Sequence, residues 1–313
     1  MCGAGVVSLA TGTVAIPFSD VTRFLIGGSV SEEERTILLS IRLPRVLLAI
    51  IAGGGLSIAG AVFQALLRNP LAEPYILGVS SGGTVGAILA LGLGFGLSYL
   101  SVPLASFTGS AAVMVLVYTI ATRYGKVEPT TLLLAGVMVG AFFSAMILLL
   151  VALLGQEVRN AFLWLMGNLG TANYPSLAVV GPAVIVASLL LYRYAYTYNL
   201  VAVGEESAEQ LGVNAERLKR VSYFLASLIT GFVVSASGVI GFVGLIIPHT
   251  CRLLFGPDHR TLLPASFLTG ATFLILVDLL ARTVISPAEI PVGAVTALLG
   301  APVFVWLLRK KDR

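Results

Sequence analysis

Charge is what this sequence has least of: only 11% of its residues are Asp, Glu, Lys or Arg, against roughly 25% in an ordinary soluble domain. A soluble fold of 313 residues needs polar side chains over most of its outer surface. Here they are missing, so that surface must face lipid. Cysteine and histidine are scarce too. Cys2 and Cys251 lie far apart in apolar surroundings, and His249 and His259 share no metal-ligand spacing with them, so neither a disulfide framework nor a metal site is expected. No cofactor is expected either. The phosphate-binding pattern G-x-x-x-x-G-K-[ST] is absent; the nearest approach, around Gly125 and Lys126, lacks both the glycine-rich lead and the Ser or Thr. Any ATP that drives this chain is therefore hydrolysed by a partner. With no H-E-x-x-H, no paired membrane aspartates and no serine with a histidine at matching depth, the chain is not read as an enzyme. The net charge of +4 comes from 19 Lys and Arg scattered between apolar runs, a pattern that fits anionic lipid head groups and not nucleic acid.

What the sequence has in abundance is apolar length, with 57% hydrophobic residues. A helix needs about 20 apolar residues to cross the hydrocarbon, where each backbone N–H and C=O must be paired internally. By that measure spans fall near 46–67, 80–98, 102–122, 130–154, 176–196, 221–240, 262–284 and 291–309, with a shorter crossing at 241–255. Residues 1–17 are small and apolar, lack the basic start of a signal peptide and are slightly short, so they are read as a first span missing its beginning. The sum is an all-α, polytopic membrane protein of about ten transmembrane helices, forming one domain over 1–313. Both termini lie on one side, which collects thirteen Lys and Arg, against six (Arg23, Arg35, Arg42, Arg45, Arg159 and Arg282) on the other. The positive-inside rule then puts the C-terminus in the cytoplasm. Glycine is frequent, and the spacings Gly82/Gly86, Gly92/Gly96 and Gly136/Gly140 predict close helix packing.

Three polar features stand out against this background. The longest cytoplasmic segment, TYNLVAVGEESAEQLGVNAERLKR at about 197–220, reads as two short helices. Glu205 and Glu206 suit the positive N-terminal end of the first, Gly212 its stop, and Asn214 the cap of a second that turns basic. By charge alone this is either a docking element or a solvated loop anchored on head groups. On the opposite side Arg42 and Arg45 flank Leu43 and Pro44 at a span start, and Arg282 follows Asp278 by four residues. Snorkelling and an i, i+4 ion pair account for these by spacing. The third feature is the turn Asn69 to Pro74, NPLAEP, whose prolines break a helix and leave irregular backbone that must be buried or line water. It is either a tight turn or, with Thr130 and Thr131, part of a gate. His249 and His259, next to Arg252 and Asp258, are read as structural hydrogen-bonding residues.

The run RLPRVLLAIIAGGGLSIAGAVFQALLRNPLAEPYILGVSSGG from Arg42 to Gly83, together with GFVGLIIPHTCRLLFGPDHR and EIPVGAVTALLGAPVFVWLL near the C-terminus, resembles the permease subunits of ABC importers for iron chelates, heme and cobalamin. The likeness runs from about residue 10 to the end. It implies a ten-helix subunit that pairs with a second copy around a central pathway, sits on two cytoplasmic ATPase subunits and receives cargo from a periplasmic binding protein in the bacterial inner membrane. It also implies that Gly204, Glu205, Glu206, Ala208, Leu211 and Gly212 contact the ATPase. Arg42, Arg45 and Arg282 would dock the binding protein, and Asn69, Pro70, Leu71, Thr130 and Thr131 would form a cytoplasmic gate. The alternative is an ion-coupled secondary transporter, which would be expected to carry ionisable residues near the bilayer midplane. Such residues are nearly absent, Asp278 being close to a helix end with Arg282 beside it.

Overall fold

A computed structural model of the chain describes residues 1–93, 101–154, 166–286 and 288–311, with side chains described to residue 304. Arg159, Gly96 and Arg313 therefore lie outside the described residues, as do the side chains of Arg309, Lys310 and Lys311.

The helices follow the apolar runs. A short α1 (Cys2–Ala10) and a surface α2 (Phe18–Leu25) precede α3 (Glu32–Thr36), which opens on a capping box between Ser31 and Glu34. Through a π-helical turn, Ile37–Arg42, it runs on into α4 (Leu43–Leu66). Beyond an irregular stretch come α5 (Val79–Gly92), α6 (Ser101–Ala121), a two-residue hairpin of β1 (Thr122–Arg123) and β2 (Lys126–Val127), and α7 (Pro129–Leu154). Then follow α8 (Tyr174–Tyr192), α9 (Ala195–Val203), α10 (Glu205–Gln210) and α11 (Ala215–Ser237). The chain closes with α12 (Val243–Phe255), α13 (His259–Thr283) and α14 (Val292–Lys311). Among the described residues, six helices are long and apolar enough to cross a membrane: α3 to α4 as one, α6, α7, α8, α11 and α13. With the shorter α5, α12, α14 and α1, the described residues supply the ten expected segments.

Within 1–17 the helix stops at Ala10, where Thr11 turns to extended backbone, and its nine residues rise about 14 Å, roughly half a crossing, as a shortened first span would. One expectation needs correction. The second short helix expected after Asn214 is not separate. Nothing between Ala215 and Ser237 breaks a helix, so the basic turns run straight into the apolar span as α11.

Helix α4 is the spine. The most apolar window of its long helix is 89% buried, against 6% for α7, whose Met138, Phe142, Leu148, Leu149 and Leu153 face outward. Glycines allow this burial: a Cβ on Gly53 would strike the Gly270 carbonyl of α13, and one on Gly60 the Gly244 carbonyl of α12. The same device joins α5 to α6, where Gly82 and Gly86 sit against Gly109 and Ala105. The α13 start is fixed by Asp258, whose carboxylate accepts from the Arg260 side chain and backbone and from Asn199 and is thereby held well below the usual carboxylate range. Asn199 also binds the His259 ring and backbone N–H, so His259 helps to tie α13 to α9.

Gly86→Val should drive α5 from α6 and cost about 1–3 kcal/mol, seen as a fall of several degrees in the melting temperature of the detergent-purified protein. Gly181→Ala in α8, where no atom lies within 4 Å of the new Cβ, should leave it unchanged or slightly raised.

Candidate functional site

Polar residues concentrate at the two ends of α4, which at 24 residues is about 36 Å long, close to the thickness of a membrane's apolar layer. At its start lie the three arginines marked in the sequence, and all three are buried. Arg45 Nε donates to both Asp278 oxygens at 2.8 and 3.0 Å, and its Nη1 donates to both Glu289 oxygens at 3.0 Å. Arg282 Nε stands 3.5 Å from the same Asp278, while its Nη2 donates to the Ser8 carbonyl and hydroxyl. Arg42 donates to the carbonyls of Leu9 and Val14. Ser8 and Leu9 belong to the last turn of α1, whose carbonyls have no partner within the helix, so two cations cap a helix C-terminus. Gly12 packs directly on both guanidiniums. Of the two carboxylates, Asp278 is 1% exposed and Glu289 44%, so only the Glu289 side of the cluster meets the surroundings.

At the other end, α10 follows Gly204 and closes on Gly212 as the sequence suggests. With φ of +84° at Gly212, the Val213 N–H donates to the Ala208 carbonyl and the Gly212 N–H to that of Glu209. Asn214 Oδ1 accepts from the Arg217 N–H and caps α11. The six residues expected to contact a partner divide by direction. Glu206, Leu211 and Gly212 are exposed, and Val203 just before them is 83% exposed. Ala208 is fully buried and anchors the helix, Gly204 is half-buried, and Glu205 turns inward. Its carboxylate meets Arg68 at 3.2 Å and Lys219 at 2.8 Å.

The two segments expected to gate lie at this same end. Asn69 Oδ1 accepts from the Leu71 N–H in a local turn, leaving Leu71 exposed. Thr131 Oγ1 donates to Glu128 at 2.6 Å at the start of α7, and Thr130 is exposed. The structure thus brings the α10 segment, Asn69 to Leu71 and Thr130 to Thr131 to one end of the bundle, and Arg42, Arg45 and Arg282 to the other.

Between the ends is an arrangement that sequence reasoning missed. The irregular stretch after α4 folds back beside it, so that Pro74 packs on Gly244, next to the Leu56 carbonyl. There it meets the break between α11 and α12. Glu73 accepts from the N–H of Phe242, a residue in left-handed conformation, and the Tyr75 hydroxyl accepts from the Ile240 N–H at 3.1 Å. Side chains of the irregular stretch thus supply acceptors for N–H groups freed at the break, as backbone away from water requires. The signal available was Gly238 and Gly241 around Val239 and Ile240, a helix interruption inside an apolar run.

Residues 1–310 match the FecCD transport family. The chain belongs to that family. It is 45% identical to the cobalamin import system permease protein BtuC of Halobacterium salinarum, over 90% of this chain and 76% of that protein. It is 41% identical to the hemin transport system permease protein HmuU of Yersinia pestis, over 88% of this chain and 84% of its relative. A solved structure described as an inward-facing conformation of a metal-chelate type ABC transporter superposes with a TM-score of 0.86 at 33% identity, covering 99% of this chain and 95% of the other. This family member is a multi-pass permease subunit of an ABC importer, and the ion-coupled alternative is not favoured.

The cluster at the α4 start makes a measurable claim. Asp278→Ala would strand the buried Arg45 and Arg282 and cost about 3–5 kcal/mol, whereas Glu289→Ala, at a half-exposed pair, should cost about 1 kcal/mol or less. Thermal unfolding of the two variants in detergent reads the difference; equal losses would contradict the assignment of Asp278 as the buried counter-ion.

Proposed function

We propose that the chain, paired with a second copy of itself, carries an iron chelate (a ferric siderophore or heme) or cobalamin across the bacterial inner membrane. It is fed by a periplasmic binding protein and driven by two cytoplasmic ATPase subunits. The observation that carries this reading is the grouping at one end of α4. The segment from the end of α9 through α10 presents exposed Val203, Glu206 and Leu211 to the surroundings and sits next to the two segments proposed as a gate. Motion imposed on that segment would open one end of the pathway at a time. In this orientation the Arg68 end and the C-terminus face the cytoplasm and the Arg45 end faces the periplasm. The arrangement supplies a path and a lever, and the chemistry of hydrolysis belongs to the partner.

Of the three arginines expected to dock the binding protein, Arg42, Arg45 and Arg282, it is Arg45 that is proposed to take an acidic group: an incoming carboxylate reaches it by replacing the half-exposed Glu289, while Arg42 and Arg282 keep α1 in place beside it. The exposed outer face of α7 is a surface for lipid or for the second copy.

Reconstitution in liposomes with the neighbouring ATPase and binding protein tests the function directly. Cobalamin, heme or a ferric siderophore, tried in turn, should stimulate ATP hydrolysis, and the stimulating compound names the cargo. Hydrolysis indifferent to the permease would overturn the reading. Arg45→Glu should weaken association of the binding protein by about tenfold or more, in proportion to the loss of a charge-assisted contact; unchanged association would remove the docking role.

A further inference from the structure

We infer that Lys219 is the joint through which movement of α10 reaches the second gate segment, as Arg68 is for the first, a positioning residue for transport that itself touches neither cargo nor ATPase. The inference rests on the permease reading above and deepens it. Lys219 lies in the second turn of α11 and is only 5% exposed, a rare place for a lysine unless every donor is paired. All three are: Nζ donates to Glu205 at 2.8 Å, to Glu216 at 3.0 Å and to the Val127 carbonyl at 3.4 Å. The other oxygen of Glu216 accepts from the Val127 N–H at 2.8 Å, so both backbone polar groups of Val127 are held by the α11 pair. Val127 ends the hairpin two residues before α7 begins and three before Thr130.

The second arm starts from the same carboxylate. Glu205 Oε1 meets Arg68 at 3.2 Å, while its Oε2 binds Lys219. Arg68 immediately precedes Asn69, adopts the left-handed backbone (φ +48°) unusual for a side-chain-bearing residue, and reaches the Val201 carbonyl of α9. One glutamate at the start of α10 is therefore tied to the first gate segment through Arg68 and to the second through Lys219. These links join parts far apart in the chain: the turn after α4, the β2 strand, α10 and α11. A rigid, fully paired contact of this kind passes displacement instead of absorbing it. If Lys219 served only to fill space, a carboxylate on each side and a backbone carbonyl on the third would not be needed.

The test uses the full chain reconstituted with its ATPase and binding protein, with cyanocobalamin, hemin and ferrichrome as probes. Lys219→Met keeps the volume of the stem and leaves Glu205 and Glu216, which are 29% and 26% exposed, free to take up water, so the fold has a way to survive. Arg68→Gln, at an exposed side chain, cuts the other arm with no buried charge left behind. The quantity read is cargo imported per ATP hydrolysed, together with the amount of ATPase that co-purifies. With co-purification as in the wild type, the ratio should fall about tenfold in Lys219→Met, within the usual range of coupling between sites, and by a smaller factor in Arg68→Gln. Wild-type ratios in both variants overturn the joint. Loss of the ATPase from both complexes also overturns it, since the network would then serve only to hold α10 for docking. A wild-type chain that leaves its ATPase unaffected brings down the functional reading itself, and the joint with it.

Discussion

In hydrocarbon no peptide group can stay unpaired, and the whole architecture answers to that constraint. Where the sequence allows, it is met by helix. Where helices break, a partner is found across the bundle. Glu73 and Tyr75 accept from the N–H groups of Phe242 and Ile240, and Gln64 donates to the carbonyls of Gly244 and Leu245. Arg42 and Arg282 close the end of α1 in the same way. Each break is thereby locked to a specific neighbour, so the irregular backbone is as defined as the helices around it.

The second consequence is that charge is confined to places where it can be paired. Helix α4 has none between Arg45 and Arg68, and its two ends carry different networks. The Arg45 network is dense and dry, with Asp278 placed between two arginines. Breaking such a buried set costs more than making it gains, so it specifies an arrangement more than it adds stability. The Arg68 network is partly wet, with Glu205 and Glu216 reaching water at one edge. One end is thus closed around a dry carboxylate, while at the other a fully paired lysine is held by carboxylates that stand at the edge of water.

Much of this was legible in the sequence because span length, glycine stops and caps are local. The runs near 130–154 and 262–284 became α7 and α13, Gly212 closed α10, and Asn214 capped α11. What stayed hidden needed contacts between distant residues. Arg45 and Asp278 are 233 positions apart, and nothing in either neighbourhood names the other. Lys219 stands among several basic residues at the start of the helix that Asn214 caps, yet it is buried while its neighbours Arg217 and Arg220 are exposed. Helical phase separates them, but which face turned inward depended on where the hairpin and α10 came to rest. Ala208 was grouped with the contact residues by its place in a motif, and burial shows that it anchors the helix from below.

The central claim is that nucleotide-driven movement of α10 is delivered to the gate at the same end of the molecule. Spin labels on a cysteine at Leu71, exposed in the gate turn, report the distance between the two copies of the assembled transporter in liposomes. The account predicts a shift in that distance between nucleotide-free and ATP-trapped states that is suppressed when Lys219 is replaced by methionine. A distance indifferent to nucleotide in the intact assembly, measured while ATP is being hydrolysed, would contradict it.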